Sequence, residues 1–205
     1  MTDTASRPGP GRPPSMTDPV GSILGAAAGL FAGKGYEGAS LQDVARAVGM
    51  TKAGIYHYFG SKQDLYDAIV LSVLSDMLEN AQAAVAQADG HDTRLRAFMV
   101  SHGRYLQENH DKYRASFIGR AGGDTTGYTE NQIDARRNYT RFLEQIIRDG
   151  CADGAFETDD VPTTARGILG MLNWMARWYQ PTGPKNAAEI ADGYATLILA
   201  GLAPR

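Results

Sequence analysis

A chain of 205 residues, 43% of them hydrophobic, has enough apolar material for one substantial core, or for a small head on a larger body. Its formal net charge of −3 argues against a generic polyanion binder; residues 1–66 carry six basic against five acidic groups, leaving −4 for the remainder. No apolar run reads as a bilayer span, the N-terminal residues lack the apolar stretch of an export signal, and the single Cys151 has no internal disulfide partner, so a cytoplasmic protein with no membrane association is expected.

Residues 1–17, rich in Pro, Gly, Ser and Thr, read as a disordered N-terminal arm. A helix is predicted over residues 19–32, with Asp18 as its cap, Pro19 in its first turn, and Ile23, Leu24, Ala27, Leu30 and Phe31 turned inward. Gly33, Gly35 and Gly38 are expected to end it. Ser40 then opens a second helix and, with Asp43 three residues on, has the capping-box pattern. Leu41, Val44, Ala45 and Val48 fall at i, i+3, i+4 and i+7, one apolar stripe. Gly49 stands where a helix ends in the left-handed conformation. Thr51 caps a short third helix with Ile55 and Phe59 inward, and Ser61 caps a long fourth helix reaching about residue 88.

Further helices are predicted over residues 93–110, 112–119, 129–148, 162–179 and 187–202, separated by the breaks AGGDTTG, DGCADGAFETDD and QPTGPKN. With no period-two alternation anywhere, the fold class is all-α with about nine helices. The expected organisation is a three-helix head over residues 18–66 and a helical body over residues 67–205, with the fourth helix linking them.

Two short helices joined by a tight turn, the second exposing polar side chains, are what a helix-turn-helix requires. In that arrangement the second helix lies in the major groove of double-stranded DNA, with its first residues reaching base edges. Thr51, Lys52, Ala53, Tyr56 and His57 lie on or near that segment. Tyr56, His57 and Tyr58 are consecutive bulky polar aromatics, so at least one must face outward. Lys62, at the start of the fourth helix, sits where backbone N–H groups also favour phosphate. An ordinary helical hairpin with a solvated face is the bland alternative.

The stretch GASLQDVARAVGMTKAGIYHYFGSKQDLYDAIV closely resembles the DNA-binding domain of the TetR family of bacterial transcriptional regulators. The resemblance spans residues 23–70 and rests on Gly35, Tyr36, Ser40, Val44, Ala45, Val48, Gly49, Gly54, Tyr56, Phe59, Lys62 and Leu65. The family pattern usually has a basic residue where Gly21 and Ser22 stand here. The resemblance implies a homodimeric regulator, usually a repressor, that releases a palindromic operator when a small molecule enters the C-terminal domain. It implies phosphate contacts from Ser40, Tyr56 and Lys62, and base contacts from Thr51, Lys52, Ala53 and His57. The arm sequence RPGPGRPP is similar to arms that lay arginine in the minor groove, against the alternative of a passive tail.

In the body, Phe98, Met99, His102, Tyr105 and Leu106 share a face of the fifth helix. Ile133, Arg136, Tyr139, Thr140 and Leu143 share one on the seventh, and Met171, Trp174, Met175 and Trp178 recur at helical spacing on the eighth. Each set reads as plain core or dimer seam, or as the lining of an adaptable apolar ligand pocket. The segment NWMARWYQPTGPKNAAEIADGYATLILAGL resembles a TetR subgroup that includes sensors of acyl-CoA thioesters. An acyl-CoA effector would need an apolar tunnel and cations for its phosphates, with Arg120, Arg136, Arg166 and Arg177 as candidates. The last two helices are expected to form a four-helix seam in a two-fold dimer, with Gly167, Gly170, Ala191, Ala195 and Gly201 permitting close approach.

Catalysis finds no support: there is no nucleophile elbow, no phosphate-cradling glycine loop and no metal-ligand spacing. No cofactor is expected. Two rivals remain, a regulator of an efflux pump answering lipophilic drugs, and a helical ligand carrier that binds no DNA.

Overall fold

The computed structural model describes residues 17–118 and 128–204. Among these the chain forms nine helices and no strand: α1 (Pro19–Gly38), α2 (Leu41–Ala47), α3 (Lys52–Tyr58), α4 (Lys62–Ala86), α5 (His91–Glu108), α6 (His110–Ile118), α7 (Glu130–Ala152), α8 (Val161–Trp178) and α9 (Ala187–Leu202). The all-α expectation holds. The arm sequence RPGPGRPP, Arg120 and the AGGDTTG break lie outside the described residues.

Local chemistry starts most of these helices. The Asp18 carboxylate accepts the Gly21 N–H at 2.8 Å, Thr51 Oγ1 accepts from Gly54 N–H and Ser61 Oγ from Asp64 N–H. Full capping boxes form at Ser40/Asp43 and Asn186/Glu189. Each satisfies N–H groups that a helix start otherwise leaves unpaired.

The first helix departs from expectation. It does not stop at residue 32 but continues to Gly38, kinked where Gly35 takes φ 75°, a backbone region open to glycine at little cost. The kink turns Tyr36 back into the head, where its ring lies 5.5 Å from Phe31 and 5.2 Å from Tyr66. Burial of that aromatic trio holds the last turn in place, a tertiary effect that three closely spaced glycines do not reveal.

Two apolar clusters meet along α4. The head cluster gathers Ile23, Ala27, Phe31, Leu41, Val44, Ala45 and Ile55, and continues up α4 through Leu65, Ile69, Val70 and Leu74 to Ala115 of α6. The body cluster takes Val73, Met77 and Ala81 from α4 and joins them to α5, α7, α8 and α9. The head core therefore runs past residue 66, and α4 and α6 each serve both parts. By length and composition alone, α4 is apolar enough to cross a bilayer, which corrects the expectation that no run would be. Yet it carries Asp67 and Asp76, both hydrogen-bonded within the fold, and its apolar residues supply the two cores.

In the body, α9 lies tight against α5. A Cβ placed on Gly103 would stand 2.4 Å from the Ala187 carbonyl oxygen and 2.8 Å from the Ala191 Cβ. Ala191 and Ala195 are fully buried in this contact, so they line the α5–α9 approach inside one protomer and are not free to form a seam between two.

Candidate functional site

The turn between α2 and α3 is closed by two hydrogen bonds, Met50 N–H to the Ala45 carbonyl and Gly49 N–H to the Arg46 carbonyl, with Gly49 at φ 69°. This is a Schellman closure, and the left-handed residue at its centre sends the chain sharply into the next helix. Ala45, wholly buried, lets α3 pack closely. From that anchor α3 stands outward. Ile55 is its one buried side chain, while Thr51, Lys52, Ala53, Tyr56, His57 and Tyr58 are all exposed. Tyr56 is 48% exposed, and its ring has the Lys52 ammonium 5.8 Å away.

A groove of about 450 Å³ runs along this edge, lined by Ser40, Lys52, Tyr56 and Lys62 together with Glu37 and Ser61. It brings four of the seven expected nucleic-acid contacts to one surface; Thr51, Ala53 and His57 stand on α3 beside it. The Ser40 hydroxyl already donates to Asp43 Oδ2 at 2.7 Å and accepts the Asp43 N–H; that donation, with a second from the Ser40 N–H to the same oxygen, holds the Asp43 carboxyl below its usual pKa.

Lys62 lines the groove, and its ammonium is already engaged within the head. Its ammonium donates to the carbonyls of Tyr36 at 2.8 Å and Ala39 at 3.2 Å. It also lies 4.2 Å from the Tyr36 ring centre and 3.7 Å from the Glu37 carboxylate. The side chain is thus a clamp between the start of α4 and the kinked end of α1, where a cation satisfies helix-terminal carbonyls.

The expected ligand residues divide into two groups. Phe98, Met99, His102, Tyr105, Tyr139, Leu143 and Met175 are buried together in the body, Arg136 and Met171 are half-buried beside them, and the Phe98 and Tyr139 rings lie 5.0 Å apart. Trp174 and Trp178 do not join them. Trp174 is 60% exposed and Trp178 points outward from the same edge of α8, so the i+3/i+4 spacing that linked them to Met171 and Met175 spread the four over two sides of the helix. The outward side has Gly167 and Gly170 open beside the two tryptophans, and on α9 Leu197 is 66% exposed.

At the centre of the body, His102 is enclosed by tyrosines. Its Nδ1 lies 3.1 Å from Tyr139 Oη and its Nε2 2.6 Å from Tyr113 Oη, and Tyr113 O–H reaches Asn173 Oδ1 at 3.4 Å. One arrangement satisfies all of them: Tyr139 O–H donates to Nδ1, Nε2–H donates to Tyr113 Oη, and Tyr113 O–H donates to Asn173. Burial lowers the His102 pKa to about 3 and raises those of Tyr113 and Tyr139, so the cluster is neutral. Tyr113 and Asn173 carried no periodic signal of a site; only packing brings them to His102.

Head and body are joined by polar links as well as by packing. Tyr36 O–H donates to Gln63 Oε1 at 3.2 Å. Gln63 Nε2 and Gln132 Nε2 both donate to Asp67 Oδ1, at 2.6 and 2.9 Å. A chain of four side chains thus runs from the α1 kink to α7.

An exposed helix set on a tight helix-turn-helix, carried by a separate helical body with its own core, defines a DNA-binding transcriptional regulator. The comparisons agree: residues 23–69 match the pattern of bacterial regulatory proteins of the tetR family, and residues 88–202 match the tetracyclin repressor-like C-terminal domain. This chain belongs to the TetR family of ligand-responsive regulators. Over 186 residues it is 24% identical to the HTH-type transcriptional repressor KstR2 of Mycobacterium tuberculosis strain H37Rv, covering 89% of this chain and 92% of that one. Among solved structures it is similar to the TetR regulator PfmR from Thermus thermophilus (37% identity, TM-score 0.77, 89% of this chain and 99% of that chain). It is also similar to AibR, solved with isovaleryl coenzyme A and operator DNA (28% identity, TM-score 0.76, 88% and 97%).

Proposed function

We propose that this protein is a homodimeric, cytoplasmic repressor that leaves a palindromic operator when an acyl-CoA-type or other small apolar effector enters its body. The observation that carries the reading is α3: Ile55 alone anchors it, and every other large side chain on it is exposed. Thr51, Lys52, Ala53 and His57 would read base edges in the major groove, with Tyr56 and Ser40 at flanking phosphates. Lys62 would set the angle between α1 and α4 and contact phosphate little or not at all.

The exposed large apolar side chains of the last two helices, Trp174 and Trp178 on α8 and Leu197 on α9, support a two-fold seam, since such side chains favour an interface. Pairing there would present two reading helices about 34–36 Å apart, one turn of duplex. The effector reading draws on the buried aromatic and methionine set around His102 and on the acyl-CoA bound by AibR.

Coupling follows from shared elements. On α6, Tyr113 belongs to the body core and Ala115 to the head core, so a ligand that repacks α6 shifts both. Swinging occupancy from 1:99 to 99:1 demands that the effector prefer the released state by roughly 5.5 kcal/mol.

The test is a mobility-shift titration on the upstream region of the protein's own gene, with mass spectrometry of any co-purified small molecule. Salt-dependent binding that acyl-CoA thioesters reverse is the expected result. A helical carrier would show no retarded band at any salt concentration, and that outcome would retire the regulator reading.

A further inference from the structure

Gln132 and Arg136 stand one turn apart on α7, and therefore on one face of it. Gln132 is only 1% exposed. Its Nε2 is used by Asp67, but its Oε1 has no hydrogen-bond partner, and neither has the buried Nη1 of Arg136. Around the guanidinium the structure offers ring faces: Tyr128 at 4.1 Å and Phe117 at 5.9 Å. Among the described residues no carboxylate lies within ion-pair reach of it. A buried acceptor without a donor, beside a cation whose inner nitrogen has neither acceptor nor counter-charge, is a costly arrangement that native interiors seldom keep without use.

What would satisfy both atoms is narrow in chemistry. Arg136 asks for an oxyanion, since its donors are fixed and permanently charged. Gln132 Oε1 asks for an O–H or N–H close by. The geometry points to Gln132 and Arg136 as the receptor for the anionic end of the effector, a carboxylate or phosphate with a hydroxyl or amide donor beside it. Phe117, stacked on Tyr113 at 4.4 Å, links the guanidinium to the His102 cluster, the side on which an apolar tail would pack. Because Gln132 also holds Asp67, and Asp67 holds Gln63 and through it Tyr36, a ligand drawing on Gln132 acts on the α1 kink. This inference rests on the reading of the body as an effector domain.

Calorimetric titration of the full chain, without DNA, tests it with decanoyl-CoA, decanoate and decanol as probes. At least one anionic probe is expected to bind about tenfold more tightly than decanol, and which one binds tells a CoA phosphate from a free carboxylate. In Arg136→Gln that advantage is expected to shrink to about twofold or less. The melting temperature of ligand-free Arg136→Gln is expected to equal or exceed that of the parent, because a buried guanidinium nitrogen without an acceptor has gone. Arg136→Met serves as a second variant with the same expectations. Equal affinity of an anionic probe for parent and variants overturns the assignment, as does decanol binding as tightly as the anions, or a clear fall in melting temperature in both variants. If such a probe also releases the parent from its operator, the failure belongs to Arg136 and Gln132 alone; if no probe binds the parent, the effector reading falls with them.

Discussion

The buried imidazole of His102 makes acid the sharpest probe of the body. Its folded-state pKa lies at about 3, against about 6.5 for an unperturbed histidine in the unfolded chain. Between those values the unfolded chain binds a proton that the folded chain refuses, so the contribution to stability is flat above about pH 6.5 and falls as the pH drops towards 3. The slope for one such group is about 1.4 kcal/mol per pH unit, and the loss reaches roughly 2–3 kcal/mol by about pH 4.5. That is a large part of the stability of a typical domain. Tyr113 and Tyr139 stay protonated throughout. Asp43 and Asp160, whose pKa values are lowered by hydrogen bonds from Ser40 and Thr163, stabilise the fold above their unfolded-state pKa and lose that contribution only as the pH falls below about 4. Urea unfolding of the parent and of His102→Gln, which keeps a donor and an acceptor but cannot titrate, should therefore differ in its pH dependence between about pH 6.5 and about pH 4.5. An NMR titration in which the His102 ring protonates near its ordinary pKa of about 6.5 in the folded protein, or an equal pH dependence in both chains, would refute the reasoning.

Gly103→Ala forces a methyl against the Ala187 carbonyl and should destabilise the body by about 1–3 kcal/mol in urea unfolding, since overpacking displaces backbone. Lys52→Ala should weaken operator binding by about 1–3 kcal/mol and relax sequence preference at the base it reads. Lys62→Ala, whose ammonium is held by Tyr36 and Ala39, should leave the salt dependence unchanged while lowering the melting temperature; a salt slope flatter by about one unit would return Lys62 to the phosphate. Leu197→Glu is expected to yield monomers in sedimentation with the helical circular dichroism retained, and a dimer of parental strength would place the seam elsewhere.

The three-helix head was legible because its signals are local. Ser40, Thr51 and Ser61 cap helices through their own i+3 neighbours, and Gly49 takes the left-handed conformation that closes α2 just before Thr51 opens α3. The exposure of Tyr56 and His57 follows from a short helix with one apolar anchor, Ile55. What tertiary structure alone decided depends on partners distant in sequence. Only the kink at Gly35 turns the Tyr36 carbonyl to where Lys62 can hold it, and only α9 makes Gly103 indispensable. Trp174 and Met175 are adjacent in sequence, yet the packing of α8 on the body sends one to the surface and the other to the core. Gln132 is an ordinary residue at a helix start until α4 brings Asp67 to its amide and leaves its carbonyl oxygen bare. Caps and turns are written in neighbouring residues, where backbone geometry limits the choices; the worth of a buried charge or a small residue is set by whatever the rest of the chain folds against it.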